Sequence, residues 1–420
     1  MYADIAILPP LDDMWSLIGA QMEPFPSITH VDYFTLVWEA INKNGNGCDY
    51  VSQPVIRDAE MNAGFMHYGT RRYSTIFLVK VDSLHPETAG KLLDFIFSGG
   101  RVFCIESVPS ASPGYKNFKV KDEEIRILVE KMKEFPERFI LLEKPEKDFT
   151  GWYKRVQEKY NIKPYLTIEK PDPFVMQNRY QGDNETEVIY LINSHNHNSH
   201  NTRISFSKEI TSKRYGWIWD PETGNRYRIK PDRDNSLILH MGPAESFLFV
   251  FDNVSKGPEW KPIPASGASE IIVNEVWIVQ FTHCRDGSVK TIEMNTLCDI
   301  KDIPELFNFA GTITYINSFS ITGQSIKSYL NLGKVHGLCE VILNGNNLGV
   351  RWYGERIYSI SESLKEGKNE IEIRVVTSMG NYMKSLTDNP IAQYWTNEKN
   401  KVQPLQSMGL IGPVTINKTT

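Results

Sequence analysis

Residues 329–352 read YLNLGKVHGLCEVILNGNNLGVRW, and this stretch decides the fold of the chain's last third. Two apolar runs flank Asn344-Gly345. Asn-Gly is a strong hairpin signal, because both central positions of a type I′ turn need positive φ. Before the turn Cys339, Val341 and Leu343 share one parity; after it Leu348, Val350 and Trp352 share another. Period-two patterning of this kind gives each strand one buried and one open face. Outward from the hairpin, EIIVNEVWIVQFTH (270–283) reads as one long strand or two, with a turn at Asp286-Gly287. ITYINSFSI (313–321), IYSI (357–360), NEIEIRVV (369–376) and GPVTI (412–416) add further strands. In NEIEIRVV, Ile371, Ile373 and Val375 face one way and Glu370, Glu372 and Arg374 the other, so one sheet face is wet. The segment 253–420 is therefore expected to be a jelly-roll sandwich.

The segment 1–163 has a different grammar. Apolar strands DIAILPP (4–10), CDYV (48–51), STIFLVKV (74–81), RVFCIE (101–106) and RFILLE (138–143) alternate with helices. FTLVWEAINKNG (34–45) places Leu36, Val37, Ala40 and Ile41 on one helical face and ends at Gly45. PETAGKLLDFIFSGG (86–100) begins on Pro86 and stops at Gly99-Gly100. DEEIRILVEKMKEF (122–135) carries its acids at the N-terminal end, where the helix dipole favours them. Helices interleaved with apolar strands imply a parallel sheet covered on both faces, a flavodoxin-like three-layer α/β/α domain. Between the two, the segment 164–252 follows a helix at 148–161 and is all β: FVMQNRY, EVIYLINS, RISFS, YGWIWDPETGNRYRI and SLILHMGPAESFLFVF predict a small antiparallel sandwich. Trp217 and Trp219 share a face, and the Trp-Asp-Pro turn is a structural bend.

Composition excludes several classes of function. At 420 residues the chain holds about two to three domains. Its 41% hydrophobic and 23% charged residues are those of an ordinary globular protein, and a net charge of −5 supplies no basic footprint for nucleic acid. Five cysteines without a CxxC pair indicate neither a disulfide framework nor a zinc site. No apolar run is long enough to span a bilayer, so no membrane partner is expected. MYADIAILPP is not a signal peptide; it is expected to open directly on a strand, as in a chain that has lost a preceding part. The compartment is left open, and Asn184, Asn253 and Asn417 would be glycan acceptors only on a eukaryotic secretory route.

Few residues carry chemistry. Gly45-x-Gly47 follows a helix and lacks a third glycine, so it is no dinucleotide fingerprint, and no cofactor is expected. Cys104 lies inside a strand, without the turn that exposes a nucleophile. Asp12 and Asp13 sit after the first strand, where such folds bind ligands, but a loop or helix start with Asp as N-cap is the preferred reading. His195, His197 and His200 alternate with asparagines in a loop between strands, and no metal is assigned to them. Sugar recognition sets aromatic faces against C–H-rich faces, with amides and charged groups on the hydroxyls. The carbohydrate-binding candidates are Trp352, Tyr353, Tyr382, Tyr394 and Trp395, with Asn347, Arg351, Asn381 and Asn397 as polar neighbours. Several lie in a long loop, 377–407, and long loops in compact domains are often functional. The parity of Trp352 with Leu348 and Val350 argues instead for core packing, and Tyr394-Trp395 could equally pack on a neighbouring domain.

The hairpin with its GVRW end, LKEGKNEIEIRVV, and GLIGPVTI resemble the galactose-binding-like jelly rolls of family 2 and related glycosidases, most strongly over residues 311–416. YLINS, WDPETG and GPAESFLFVF resemble the small β-domain behind glycosidase barrels. Ile5-Ala6-Ile7-Leu8, Trp15-Ser16, Trp38-Glu39-Ala40-Ile41, Cys48-Asp49-Tyr50-Val51 and the helix-Gly99-Gly100-strand unit resemble a glutamine-amidotransferase-like domain. In this order the three resemble the C-terminal half of α-L-rhamnosidases of glycoside hydrolase family 106, which are often periplasmic or extracellular. The resemblance implies a carbohydrate partner and a catalytic (β/α)8 barrel with a carboxylate pair. No stretch supplies eight strand-helix repeats, and no catalytic residue maps onto this sequence. The expectation is a non-catalytic accessory portion of such an enzyme, inactive alone. The alternatives are a free-standing carbohydrate-binding protein and a small enzyme using Asp12, Asp13 and Glu106 in the cleft of the first domain.

Overall fold

A computed structural model describes residues 1–18, 33–262, 269–273, 276–322, 327–396 and 404–419. The chain divides into two compact units. One holds residues 1–195, 200–241 and 246–260; the other holds 196–199, 242–245 and 261–420.

The first unit begins with a five-stranded parallel sheet. Ile5–Leu8 lies between Cys48–Tyr50 and Thr75–Val79, and Arg101–Ile105 and Phe139–Leu142 follow outward, giving the order 2-1-3-4-5. Strands buried on both faces need continuous apolar sequence, and Thr75–Val79 is buried at every position. Alternate residues point to opposite cores. Ala6, Leu8, Ile76, Leu78, Val102 and Cys104 meet the helices Gln53–Asp58, Pro86–Ser98 and Phe118–Lys133. Ile5, Ile7, Phe77, Val79, Phe103 and Ile105 meet Phe34–Lys43 and Phe149–Lys159. Gly99 closes the helix Pro86–Ser98 at φ 111°. The helix expected to start at residue 122 starts at Phe118, with no acid in its first turn. Asp122 instead accepts from the Ser112 backbone N–H (2.7 Å) and hydroxyl (2.9 Å), fastening the preceding loop. Leu36, expected inward, is exposed.

The same unit carries two antiparallel sheets on one core. One runs Val175–Gln181, Glu187–Asn193, Ser246–Asp252, Tyr215–Trp219, Arg226–Arg228; the other runs Ser236–Met241, His200–Phe206, Leu166–Ile168. Trp217 is buried and its indole N–H donates to Asp252 at 3.0 Å, whereas Trp219 is exposed near the turn. A buried polar clasp joins these sheets to the parallel one. Asn42 donates to the Gln177 carbonyl (2.6 Å) and accepts from its N–H (3.0 Å); the Gln177 amide donates to the carbonyls of Asn42 and Asn46 at 3.0 Å. Gly45 stands where a Cβ would overlap the Leu166 carbonyl oxygen, so the approach of the two parts requires glycine.

In the second unit two antiparallel sheets enclose one core. A four-stranded sheet orders Ser269–Ile272, Thr415–Thr419, Lys327–Asn331, Ile357–Ser359. A six-stranded sheet orders Val289–Met294, Trp277–His283, Gly311–Ile321, Gly367–Val376, Leu338–Leu343, Asn346–Arg351. Asn344 and Gly345 turn the hairpin at φ 51° and 84°. Cys339, Val341 and Leu343 are buried as their parity requires. The returning strand departs from its pattern. An extra residue near Gly349 (φ 95°) shifts the register, Val350 is exposed, and Trp352 is 62% exposed rather than in the core. The strand is an edge, and a bulge on an edge turns side chains away from the sheet's inner face. Among the described residues no helix is long and apolar enough to cross a membrane.

Candidate functional site

A concave site of about 260 Å³ opens at one end of the six-stranded sheet in the second unit. Its floor comes from Trp277–His283, whose turn to Val289–Met294 is closed by His283 N–H to Ser288 O (2.9 Å) and by Gly287 at φ 66°. The loop after the short 3-10 turn Ile300–Asp302 brings Glu305, Asn308 and Phe309, and the helix Gly380–Ser385 brings Tyr382. The rings form a ladder of edge-to-face contacts: Phe281 on Phe309 at 5.4 Å, Phe309 on His283 at 5.8 Å, and His283 on Tyr382 at 5.1 Å. Asn308 donates to the Ser385 hydroxyl at 3.0 Å, and that hydroxyl donates to the Tyr382 carbonyl at 2.7 Å, so the helix is tied to the loop.

The rim is polar. Lys290 pairs with Glu305 at 2.6 Å and holds its carboxyl below the usual range. Among the described residues Glu305 is the one carboxylate lining the site. Aromatic rings with a cation, an amide and a single carboxylate can hold a hydroxyl-rich ring. Hydrolysis of a glycosidic bond needs a second carboxylate about 5–9.5 Å from the first.

The sequence candidates fall in different places. Tyr382 lines the site. Asn381, next to it, is buried, and its amide clasps Gln406 through both ends at 2.8 Å, which fits a structural tie. Tyr394 is 74% exposed on the helix Pro390–Trp395. The side chain of Trp395 and the whole of Asn397 lie outside the described residues. Asn347, Arg351, Trp352 and Tyr353 gather at the opposite edge of the six-stranded sheet. There Trp352 and Tyr353 meet edge-to-face at 4.9 Å, Asn347 donates to Glu340 at 2.7 Å, and the Arg351 guanidinium lies 5.2 Å over the Tyr358 ring. Sequence reading passed over His283, Lys290, Glu305, Asn308 and Phe309. The aromatic density of LFNF at 306–309 is the signal that could have drawn attention to them.

In the first unit the acids after the parallel strands hold loops. Asp13 accepts from the Asp82 N–H at 3.0 Å and from the Ser83 hydroxyl, and Asp12 accepts from the Gln53 amide. Glu106 pairs with Lys80 at 2.8 Å and accepts from the Tyr33 hydroxyl at 2.6 Å, which holds its carboxyl low. Among the described residues no cluster of histidine, cysteine and acids could hold a metal. His200 starts a strand and its Nε2 lies 3.1 Å from the Lys170 carbonyl, while the His195 ring rests on Phe174 at 4.5 Å.

No protein-family profile matches the chain. Among solved structures, a rhamnosidase from Novosphingobium sp. PP1Y superposes over 99% of the chain with a TM-score of 0.60 and 19% identity. The chain shares its fold with that part of the rhamnosidase. It spans 39% of the rhamnosidase's length. A protein of Formosa agariphila assigned by name to the beta-glucuronidases is 28% identical over 144 residues, 26% of this chain and 12% of that protein. A beta-glucuronidase from Ruminococcus gnavus matches 28% of the chain and 23% of its own at a TM-score of 0.24, too low to bear on the fold. The chain thus resembles portions of glycoside hydrolases.

Proposed function

We propose that the chain is the non-catalytic accessory portion of a rhamnosidase-like glycoside hydrolase acting on plant or host glycans, beside a catalytic barrel supplied outside the described residues. In this reading residues 1–163 are a flavodoxin-like, amidotransferase-like domain, 164–252 a small β-sandwich and 253–420 a galactose-binding-like jelly roll. The strand order 2-1-3-4-5 supports the first assignment and the paired sheets around one core support the third. The observation that carries the functional reading is the superposition on the rhamnosidase over nearly the whole chain. The parallel strands among the described residues form one open sheet of five, which favours support over bond cleavage.

The Tyr382 site is the contact with sugar in this proposal. Its volume lies near the lower end of small-molecule pockets, about 300 Å³, which suits one sugar ring. Loss of an aromatic face of this kind costs about 1.4 kcal/mol, or tenfold in affinity. Titration with rhamnose-containing oligosaccharides is expected to show binding that Tyr382→Ala weakens about tenfold and Trp352→Ala leaves unchanged. Equal affinity in wild type and Tyr382→Ala would move the contact elsewhere. The second reading, a free-standing carbohydrate-binding protein, is favoured by the single carboxylate of the site. Binding that needs no added barrel protein for full affinity would support it.

A further inference from the structure

The five-stranded antiparallel sheet of the first unit has a second face that its core does not use. In a sheet packed on one side the outward positions are ordinarily polar. Residues paired directly across strands share a face, so the register names the outward ones. One row crosses all five strands as Asn178, Tyr190, Leu248, Trp219 and Arg226. Met176 and Ile192 pair on one side of that row, Val188 and Val250 on the other. The inward alternates, Val175, Ile189, Leu191, Phe247 and Phe249, belong to the core. Both faces of this sheet are therefore apolar, and an apolar face without a core marks a contact site.

Beyond Val250 the chain covers the face itself. Gly257 lies so close to the Trp217 ring that a Cβ there would meet it at 2.6 Å, and that outward tryptophan is buried. The Tyr190 row stays open: Trp219 is 40% exposed, and Asn178, Tyr190 and Leu248 are half-buried. Among the described residues neither the Tyr190 hydroxyl nor the Trp219 indole N–H has a hydrogen-bond partner, whereas the Trp217 indole donates to Asp252. The face carries little free charge. Arg226 pairs with Asp252 at 3.6 Å, Arg228 donates to the Ser255 carbonyl at 2.6 Å, and no outward position of these strands holds a lysine or glutamate. Its size argues against a second copy of the chain. Four strands of this length give a flat footprint of about 450 Å², so two copies face to face would bury about 900 Å², under the ~1,000 Å² of a specific protein contact.

We infer that the row from Asn178 to Trp219 is a second carbohydrate surface, which takes a strand of neutral polysaccharide laid across the sheet. Tyr190 and Trp219 stand two strands apart, roughly 10 Å, a span that a disaccharide unit bridges. Alternate sugars rest their C–H faces on the two rings, and Leu248 supports the sugar between them. The Tyr190 hydroxyl, the Trp219 N–H and the Asn178 amide take hydroxyl groups. Without an unpaired cation the surface favours a neutral polymer over an acidic one. It shares no residue with the Tyr382 site, and the inference does not rest on the accessory reading.

The test is native electrophoresis of the full chain through gels containing hydroxyethylcellulose, galactomannan or polygalacturonate. Every sample carries Tyr382→Ala, so that the other site contributes nothing. At least one of the neutral polymers is expected to retard the chain, and polygalacturonate is not. Trp219→Ala and Tyr190→Ala are each expected to lower the affinity about tenfold, and Trp219→Phe, which keeps a ring, to lower it less. Leu248→Arg lays a charged stem across the row; it is expected to weaken retardation as the alanine variants do and serves if Tyr190→Ala melts early. Passage through both neutral gels without retardation would overturn the inference. So would equal retardation by polygalacturonate, or unchanged retardation of folded Trp219→Ala and Leu248→Arg variants. Light scattering that shows a dimer dissolved by Trp219→Ala would give the face to a second copy and overturn it as well.

Discussion

Asp4 shows how far one residue can set the chemistry of the interior. It lies in the clasp between the parallel sheet and the small sandwich, accepting from the Asn46 amide at 2.8 Å and the Gly47 N–H at 3.0 Å. Desolvation outweighs both bonds and pushes its carboxyl up to about 6. A folded value above the unfolded one of 3.8 means that the fold binds the extra proton between the two. Stability from this group is therefore present at low pH and lost as pH rises through about 4 to 6. Asp4→Asn removes that slope. Urea unfolding at several pH values is expected to show the variant gaining on the wild type by on the order of 2 kcal/mol between pH 4 and pH 7. A constant gap would show that the carboxyl titrates over the same pH range in the folded and unfolded chain. Such a residue is invisible in sequence: Asp4 opens an apolar strand and reads as an ordinary polar lead-in. Its surroundings come from Asn46 and from residues more than a hundred positions away, since the same Asn46 accepts from Tyr153 at 2.9 Å and Gln157 at 2.8 Å.

At the scale of the element, the hairpin of residues 338–351 separates what local pattern can and cannot reveal. The turn was legible because Asn-Gly is one of few pairs that tolerate two positive φ values in succession. The central strand was legible because a strand with neighbours on both sides obeys strict alternation. The returning strand was not, because one inserted residue at Gly349 breaks the period and an edge has no neighbour to enforce it. Trp352 consequently lies on the surface, where parity alone put it in the core. The helix Phe118–Lys133 was misjudged in a similar way. It starts a turn earlier, at Phe118, so the acids taken for a first turn belong to the second, and Asp122 there accepts from Ser112 in the preceding loop. Truncation should reveal the difference between the hairpin's two arms. Val341→Ala, fully buried, is expected to cost about 2–3 kcal/mol in chemical denaturation, and Val350→Ala less than about 0.5 kcal/mol. Equal costs would place both arms in the core.

On the scale of the whole molecule, the division into a strand-helix first third and an all-β remainder was readable from periodicity, since strand runs and helical faces differ in period and need no tertiary knowledge. The Tyr382 site was readable only in part. Tyr382 stood out as an aromatic in a polar loop, while its partners His283, Asn308 and Phe309 come from two other segments that fold onto it. The aromatics at 352 and 353 were grouped with Tyr382 as rings suited to sugar faces, yet they occupy the opposite sheet edge. We propose that this chain holds sugar and does not cleave it. The most direct measurement is monosaccharide release from a rhamnose-bearing polysaccharide by the purified chain, followed by chromatography, beside a binding titration of the same sample. The expected result is binding with no sugar released above the enzyme-free control. Rhamnose or another monosaccharide released at enzymatic rates would contradict it.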